Sequence, residues 1–397
     1  MRLKKVKMCI LIGITLLTTI ILGGCKPSTL KETTAPSEVI GKQEEAAYQK
    51  HLSEKYADYV ESPFGLDITK KTGIVAICYS TWFNPIIGTS KSPAIYNITE
   101  ILKGNQKWGG ENAFHYWAEP ASGYYRSDDK AVIRTHMTQL QDAGVDFIII
   151  DNTNSDVSWK KTGYWRQMVT QPVTAILDTI VQMRSEGLKT PYVVFWSAAN
   201  EEKGTGVIDL TYTEFYKDMY KDCFVYWEGK PFMVTTDTIS TPIENFTTRK
   251  MWGLNSKLET SEWSFLLEPN KASKDLDGFN EQICVCAALQ ANYMSDPTSA
   301  IGRNNGETFN KQWKRAFETK PKIVTITWWN EWAAQRFLDE KGNSRFVDNY
   351  NGPYSRDIEP MKGGHGDTYY KWMIEYIRAY KAGEACPELI QPDGFTY

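Results

Sequence analysis

Ile323-Val324-Thr325-Ile326-Thr327-Trp328-Trp329-Asn330-Glu331-Trp332 is a β-branched, apolar run that ends abruptly in aromatics, an amide and a carboxylate. A run of this kind reads as a strand covered on both faces, with the Asn-Glu pair at its polar end. Similar runs recur outward from it, at 73–80, 113–117, 145–151, 192–197, 231–235, 263–267 and 283–289. Helical patterns lie between several of them, at 131–143, 173–186 and 213–220. Strand, helix and strand repeated at this spacing predict a parallel sheet with crossover helices. About eight such units in one stretch favour an α/β fold of the (β/α)8 TIM-barrel type over a doubly wound sheet. No Gly-x-Gly-x-x-Gly follows the first strand and no Walker-type loop occurs, which removes the usual nucleotide-binding readings.

The chain begins with Lys4, Lys5 and Lys7 ahead of an apolar run over 8–22, closed by Gly23, Gly24 and Cys25. The apolar run is shorter than the roughly 20 residues that span a bilayer, and small residues precede a cysteine. Residues 1–24 therefore read as a lipoprotein signal peptide, with Cys25 as the lipidated N-terminus; the alternative is an uncleaved membrane helix. Residues 25–60 are rich in Lys, Glu, Ser, Thr and Ala and read as a lipid-anchored tether outside the main fold. Within them Ala46, Ala47, Leu52 and Tyr56 recur at near-helical spacing. Residues 61–397 form the expected single large domain. The predicted location is the outer face of a bacterial membrane, held there by lipid on Cys25.

With 42% hydrophobic residues, 13% aromatics and a net charge of −3, nothing points to nucleic acid or to a basic membrane-binding surface. A neutral, polar partner fits better. Of seven cysteines, Cys9 and Cys25 fall in the signal region, leaving an odd five in a large chain, so no disulfide framework is implied. Alternation sends the sulfurs of Cys284 and Cys286 to one face of a strand, where core packing is the simpler reading. The four histidines lack metal-ligand spacing. Neither a metal nor a cofactor is expected.

A barrel builds its active site at the C-terminal ends of its strands. Those ends deliver Trp82, then Trp117 and Glu119, then Asp151 and Asn152, and finally Trp329, Asn330, Glu331 and Trp332. Arg336 and, in a Gly-rich turn, His365 are further candidates. Aromatic rings suit the C–H faces of sugars, while glycosidic cleavage normally employs two carboxyl groups. Strand alternation places Thr325, Thr327, Trp329 and Glu331 on one face, and Val145, Phe147, Ile149 and Asp151 on another. The candidate catalytic groups are thus Glu331, Asp151 and Glu119. Glu331 is the candidate general acid, because flanking Trp329 and Trp332 would desolvate it. The bland alternatives remain open: Asp151 as a helix cap, Glu331 in a rim pair with Arg336, and the tryptophans as core.

The segment Thr325–Trp332 resembles the strand end of glycoside hydrolase family 99 and family 71-like barrels, a set that includes endo-α-mannosidases. The stretch from Tyr116-Trp117-Ala118-Glu119-Pro120 through Gly123-Tyr124-Tyr125, Asp128, His136 and Ala143-Gly144-Val145-Asp146-Phe147 to Asp151 is similar to the same set. The resemblance implies a barrel that handles glycans, with Glu331 as one working carboxylate. It also implies a second glutamate three residues further on, where this chain has Ala334. Asp151 or Glu119 must then supply the second carboxyl group. The expected function is a cell-surface glycoside hydrolase; the alternative is a non-catalytic glycan-binding lipoprotein on the same fold.

Overall fold

The computed structural model describes residues 35–87, 95–199, 204–238, 241, 243–252, 258–290, 294–295, 300–347 and 351–395. Residues 1–24 and Cys25, with the signal and lipidation expectations they carry, lie outside the described residues. Eight strands, most of them apolar runs buried along their length, form one ring. They are β1 Ile74–Tyr79, β2 Phe147–Asn152, β3 Tyr192–Ser197, β4 Lys230–Thr235, β5 Thr247–Met251, β6 Glu262–Trp263, β7 Asn280–Cys286 and β8 Ile323–Thr327. Parallel ladders join β1 to β2, β2 to β3, β3 to β4, β4 to β5 and β5 to β6. Parallel ladders also join β7 to β8 and β8 back to β1.

The remaining seam, between the two-residue β6 and β7, is bridged by side chains. The Gln282 amide accepts from Ser264 N at 2.7 Å and donates to Ser264 O at 3.1 Å, mimicking a backbone pair. Cys284 N donates to Ser264 Oγ at 2.9 Å. The ring therefore closes as a (β/α)8-type barrel in which one strand is almost vestigial.

The helices of ten residues or more among the described residues are α1 Pro36–Lys55, α2 Lys130–Asp142, α3 Gln171–Ser185, α4 Gly206–Phe215, α5 Glu307–Thr319 and α6 Thr368–Ala382. Helices α2, α3 and α4 link β1 through β4, α5 links β7 to β8, and α6 follows β8. Period-two alternation sorts the strand residues into two apolar layers. Ile148, Ile150, Val193 and Phe195 join the layer that also holds Ile176, Ile180, Trp313 and Tyr376 of the helices. Ala76, Cys78, Phe147, Ile149, Val194, Cys284 and Cys286 fill the barrel interior. Cys284 and Cys286 indeed share a face, with their sulfurs 3.6 Å apart and fully buried.

Two sequence expectations are corrected here. The run at 113–117 is not a barrel strand; Phe114–Tyr116 sits in a second sheet with Tyr96–Asn97, Ala333–Leu338, Ser344–Val347 and Met294–Ser295. Its place in the ring is taken by β5, whose Thr-Thr-Arg-Lys-Met sequence carries no apolar strand signature. Arg249 of β5 is nonetheless satisfied by a two-point ion pair with Glu281 of β7, at 2.7 and 2.9 Å.

The second correction concerns 25–60. Over Pro36–Lys55 the expected tether is helix α1, docked on the domain rather than outside it. Tyr48 stacks on Phe279 at 4.6 Å, Leu52 is buried, and Lys55 and His51 both meet Asp277. Gln49 also donates to Thr72 and Glu44 accepts from Asn280, contacts of single side chains that average composition does not reveal. At Gly41 an added Cβ would lie 2.4 Å from Glu318 O. Gly41→Ala is therefore expected to cost about 1–3 kcal/mol by urea unfolding, through a clash that α1 can relieve only by lifting off.

Candidate active-site cleft

Beyond the C-terminal strand ends lies a cleft of about 520 Å³, walled mainly by aromatic rings. Strand geometry supplies its base. Asp151 and Trp196 are the penultimate residues of β2 and β3 and face one another in the ladder, and Trp328 follows β8 directly. The rings of Trp196 and Trp328 lie nearly parallel, 6.1 Å apart, and both belong to the interior layer. Trp82, Trp159, Tyr164 and Trp252 rise around the opening. The second sheet contributes Phe114, Ala333, Ala334, Gln335 and Val347 as one wall.

Among the described residues lining the cleft, the charged side chains are Asp151 and Arg356. Asp151 is 8% exposed, and its Oδ1 accepts from Thr153 N at 3.0 Å in a local turn. Arg356 grips Glu331 at two points: Nε donates to Oε2 at 2.8 Å and Nη2 to Oε1 at 2.7 Å. Its Nη1 donates to Gln290 Oε1. Both members of the pair are buried, Glu331 at 7% and Arg356 at 2% exposure.

Arg356 belongs to a strap, residues 355–359, that runs beside the loop leaving β8. Ile358 N and Glu359 N donate to Trp329 O at 3.0 and 2.9 Å. Alternate strap side chains then reach different parts of the mouth. Asp357 accepts from Trp117 Nε1 at 2.6 Å, while Glu359 accepts from Trp332 Nε1 at 2.5 Å and from the Tyr125 hydroxyl at 2.7 Å. His136 joins Glu359 to the Tyr79 hydroxyl, at 2.9 and 2.8 Å. Complete burial pushes the Asp357 carboxyl up to about 8, against the pull of nearby Arg303. The same cause holds the His365 imidazole, 3.5 Å from Asp357, well below the usual histidine range.

No family model matches this chain, and no curated protein does. Solved structures with a similar course include the GH99 endo-alpha-mannosidase from Bacteroides thetaiotaomicron, at 14% identity and a TM-score of 0.48, over 79% of this chain and 99% of that one. The same enzyme in complex with BIS-TRIS-propane gives 13% identity and a TM-score of 0.49, over 78% and 98%. A glycoside hydrolase-like protein gives 12% identity and a TM-score of 0.42, over 80% and 98%. The barrel is defined by its own strand ladder, independently of these likenesses.

The sequence candidates separate into three groups. Asp151 and Trp82 line the cleft, and Glu331 stands behind Arg356 at its edge. Glu119 points elsewhere: its carboxylate pairs with Lys362 on the surface, and it is not part of the cleft lining. Arg336 pairs with neither carboxylate; it donates to Ser344 Oγ at 2.7 Å and Gly109 O at 2.8 Å and covers Trp108.

Trp117, Trp329, Trp332, Asn330 and His365 are buried and are not among the residues lining the cleft. Trp117 stacks on Trp332 at 5.0 Å. Asn330 ties the end of β8 to β1, accepting from Ser80 N at 2.8 Å and donating to Ser80 O at 3.1 Å. Asn152 accepts from the Ser155 hydroxyl and lies off the cleft. Strand alternation fails beyond Thr327 because β8 ends there: Trp328 turns into the interior layer and Trp329 into the outer one, reversing the expectation. The expectation that Trp329 and Trp332 desolvate Glu331 gives way to the Arg356 fork.

Sequence reasoning missed Arg356, Gln290, Trp196, Trp252 and Trp328 as cleft residues. Trp196 and Trp328 carried a signal, since both are strand-end aromatics. Arg356 stood out only as the start of a charged run, Arg356-Asp357-Ile358-Glu359, with nothing to pair it with Glu331, and Gln290 carried no signal, because the strap and the loop after β7 bring them together.

Proposed function

We propose that this protein is a glycoside hydrolase that takes a neutral glycan in the aromatic cleft. The observation that supports this is one carboxylate, Asp151, set among Trp82, Trp196 and Trp328, with a second, Glu331, held at the edge by Arg356. Strands β2 and β8 both adjoin β1. The two carboxylates thus rise from the ends of the two neighbours of β1, one near the end of β2 and the other on the loop after β8; cleavage with inversion needs their carboxyl groups about 6.5–9.5 Å apart, with room for a water between them. In this reading Glu331, with both oxygens turned to a guanidinium, is the group that accepts a proton from water. Asp151 supplies the proton to the leaving sugar. The earlier assignment of Glu331 as general acid is thereby exchanged.

A second reading is a glycan-binding protein that does not hydrolyse. It is favoured by Ala334 in the cleft wall and by the engagement of both Glu331 oxygens. A glycan screen that reads binding and reducing-end release together separates the two. Trp328→Ala is expected to weaken binding about five- to a hundredfold, since a stacked ring contributes on the order of 1–3 kcal/mol. Binding unaffected by both Trp82→Ala and Trp328→Ala would remove the cleft as the glycan site. Export and anchoring through Cys25 belong to the same proposal. Radiolabelled palmitate incorporated by the wild type and not by Cys25→Ala is the expected result.

A further inference from the structure

The strap at 355–359 offers more than a wall to the cleft. Its first charged side chain, Arg356, is nearly inaccessible to solvent, yet it borders the cleft and binds one specific carboxylate at both oxygens. A lysine would place a single point charge there; the planar guanidinium sets orientation as well as charge. The guanidinium is itself held by Gln290 at Nη1, and the main chain that carries it is tied to β8 where Trp328 N donates to Arg356 O at 3.3 Å. Asp357 and Glu359 fasten the same strap to Trp117 and Trp332 on either side. The strap is thus anchored independently of Glu331, and Glu331 is oriented by the strap rather than the reverse.

We propose that Arg356 is the positioning residue of this site: it fixes the rotamer of Glu331 and keeps it the proton-accepting partner, which leaves the proton-donating role to Asp151. The inference rests on the reading of Glu331 as a working carboxylate. It predicts a functional asymmetry between the two carboxylates, one lining the cleft and the other held behind Arg356. Gln290 acts one step further out, by orienting Arg356.

The test is direct titration of Glu331 in the full-length protein. Carboxyl-labelled glutamate is observed by carbon NMR, with the Glu331 signal assigned by its loss in Glu331→Gln. In Arg356→Gln the midpoint of Glu331 is expected to rise by about one pH unit or more, because an opposite charge in contact lowers a carboxylate by about that amount. In Arg356→Lys, which keeps the charge and loses the fork, the rise is expected to be smaller. Near-UV circular dichroism establishes that each variant is folded, and should Arg356→Gln fail to fold, Arg356→Lys decides. A midpoint within roughly 0.3 unit of wild type in folded Arg356→Gln overturns the proposal, since that amounts to almost no coupling, as does an Arg356→Lys midpoint that does not rise at all.

On a glycan that the wild type cleaves, the acidic limb of the pH–kcat profile is expected to move upward in step with the titration, while KM stays within about twofold. If the wild type binds glycans and cleaves none, the hydrolase reading fails. The titration still decides what Arg356 does to Glu331.

Discussion

Glu331→Gln is expected to abolish glycan cleavage, by about 10²–10⁴-fold in kcat, while leaving glycan binding in place. Glutamine keeps the shape of the side chain and one acceptor for Arg356, so the strap and the aromatic walls should persist. What it removes is the group that can take a proton from water. Asp151→Asn is expected to give a loss of similar size, but with a different dependence on substrate. A substrate whose leaving group needs no protonation, such as an activated aryl glycoside, should recover most of the lost rate in Asp151→Asn and none of it in Glu331→Gln. That contrast assigns the two roles. Equal recovery in both variants would contradict the assignment, and full activity in either would remove that carboxylate from the reaction.

The second large effect concerns the opposite end of the barrel. Lys322, immediately before β8, is completely buried and donates through Nζ to Ile68 O at 2.6 Å, Thr69 O at 3.0 Å and Lys71 O at 2.7 Å. One side chain therefore caps the carbonyls of the turn that enters β1. Ile68 O keeps a bond from Lys71 N, so Lys322→Met leaves the carbonyls of Thr69 and Lys71 without this donor; it is expected to destabilise the protein by about 2 kcal/mol or more in urea, because each buried carbonyl left unpaired costs on the order of 1–3 kcal/mol.

Burial pushes the Lys322 amine down to about 7 from its ordinary 10.5, opposed mainly by Glu281. The sign of the pH dependence follows. Below about pH 7 both folded and unfolded chains hold the proton, and this group adds no slope. Between about 7 and 10 only the unfolded chain holds it, so stability rises with pH, by at most about 1.4 kcal/mol per unit. Asp357, raised to about 8, gives the opposite slope below that pH in both proteins. Urea midpoints at pH 8 and pH 9.5 should therefore diverge between wild type and Lys322→Met. Parallel behaviour would mean that Lys322 stays charged throughout.

These two ends of one strand show how unevenly the chain discloses its design. Strands β1, β2, β3, β7 and β8 are legible because burial on both faces demands continuous apolar, β-branched runs. Helices α2 and α3 are legible because each must present one apolar stripe to those strands. Strand β5 is not, since its Arg249 finds its partner on a strand about 30 residues away and needs no apolar neighbour. Nor is the docking of α1, which depends on a glycine at Gly41 and on a ring stacked on Phe279.

The same division runs through the site. Asp151 is readable because a carboxylate that closes an apolar strand must emerge at the barrel mouth. Glu331 is readable as a polar strand end, but its partner is not. Arg336 lies nearer to it in sequence than Arg356, and only the course of the strap sends the nearer arginine to Ser344 and the farther one to the carboxylate. By itself, then, the sequence determined the barrel, the face on which Asp151 emerges and the aromatic character of the opening, all of which follow from local periodicity and burial. Only the tertiary structure decided that Trp328 rather than Trp329 enters the cleft, that Glu119 leaves it, and that Glu331 is held by Arg356. Those outcomes depend on contacts between segments far apart in the chain, whose geometry no local pattern encodes.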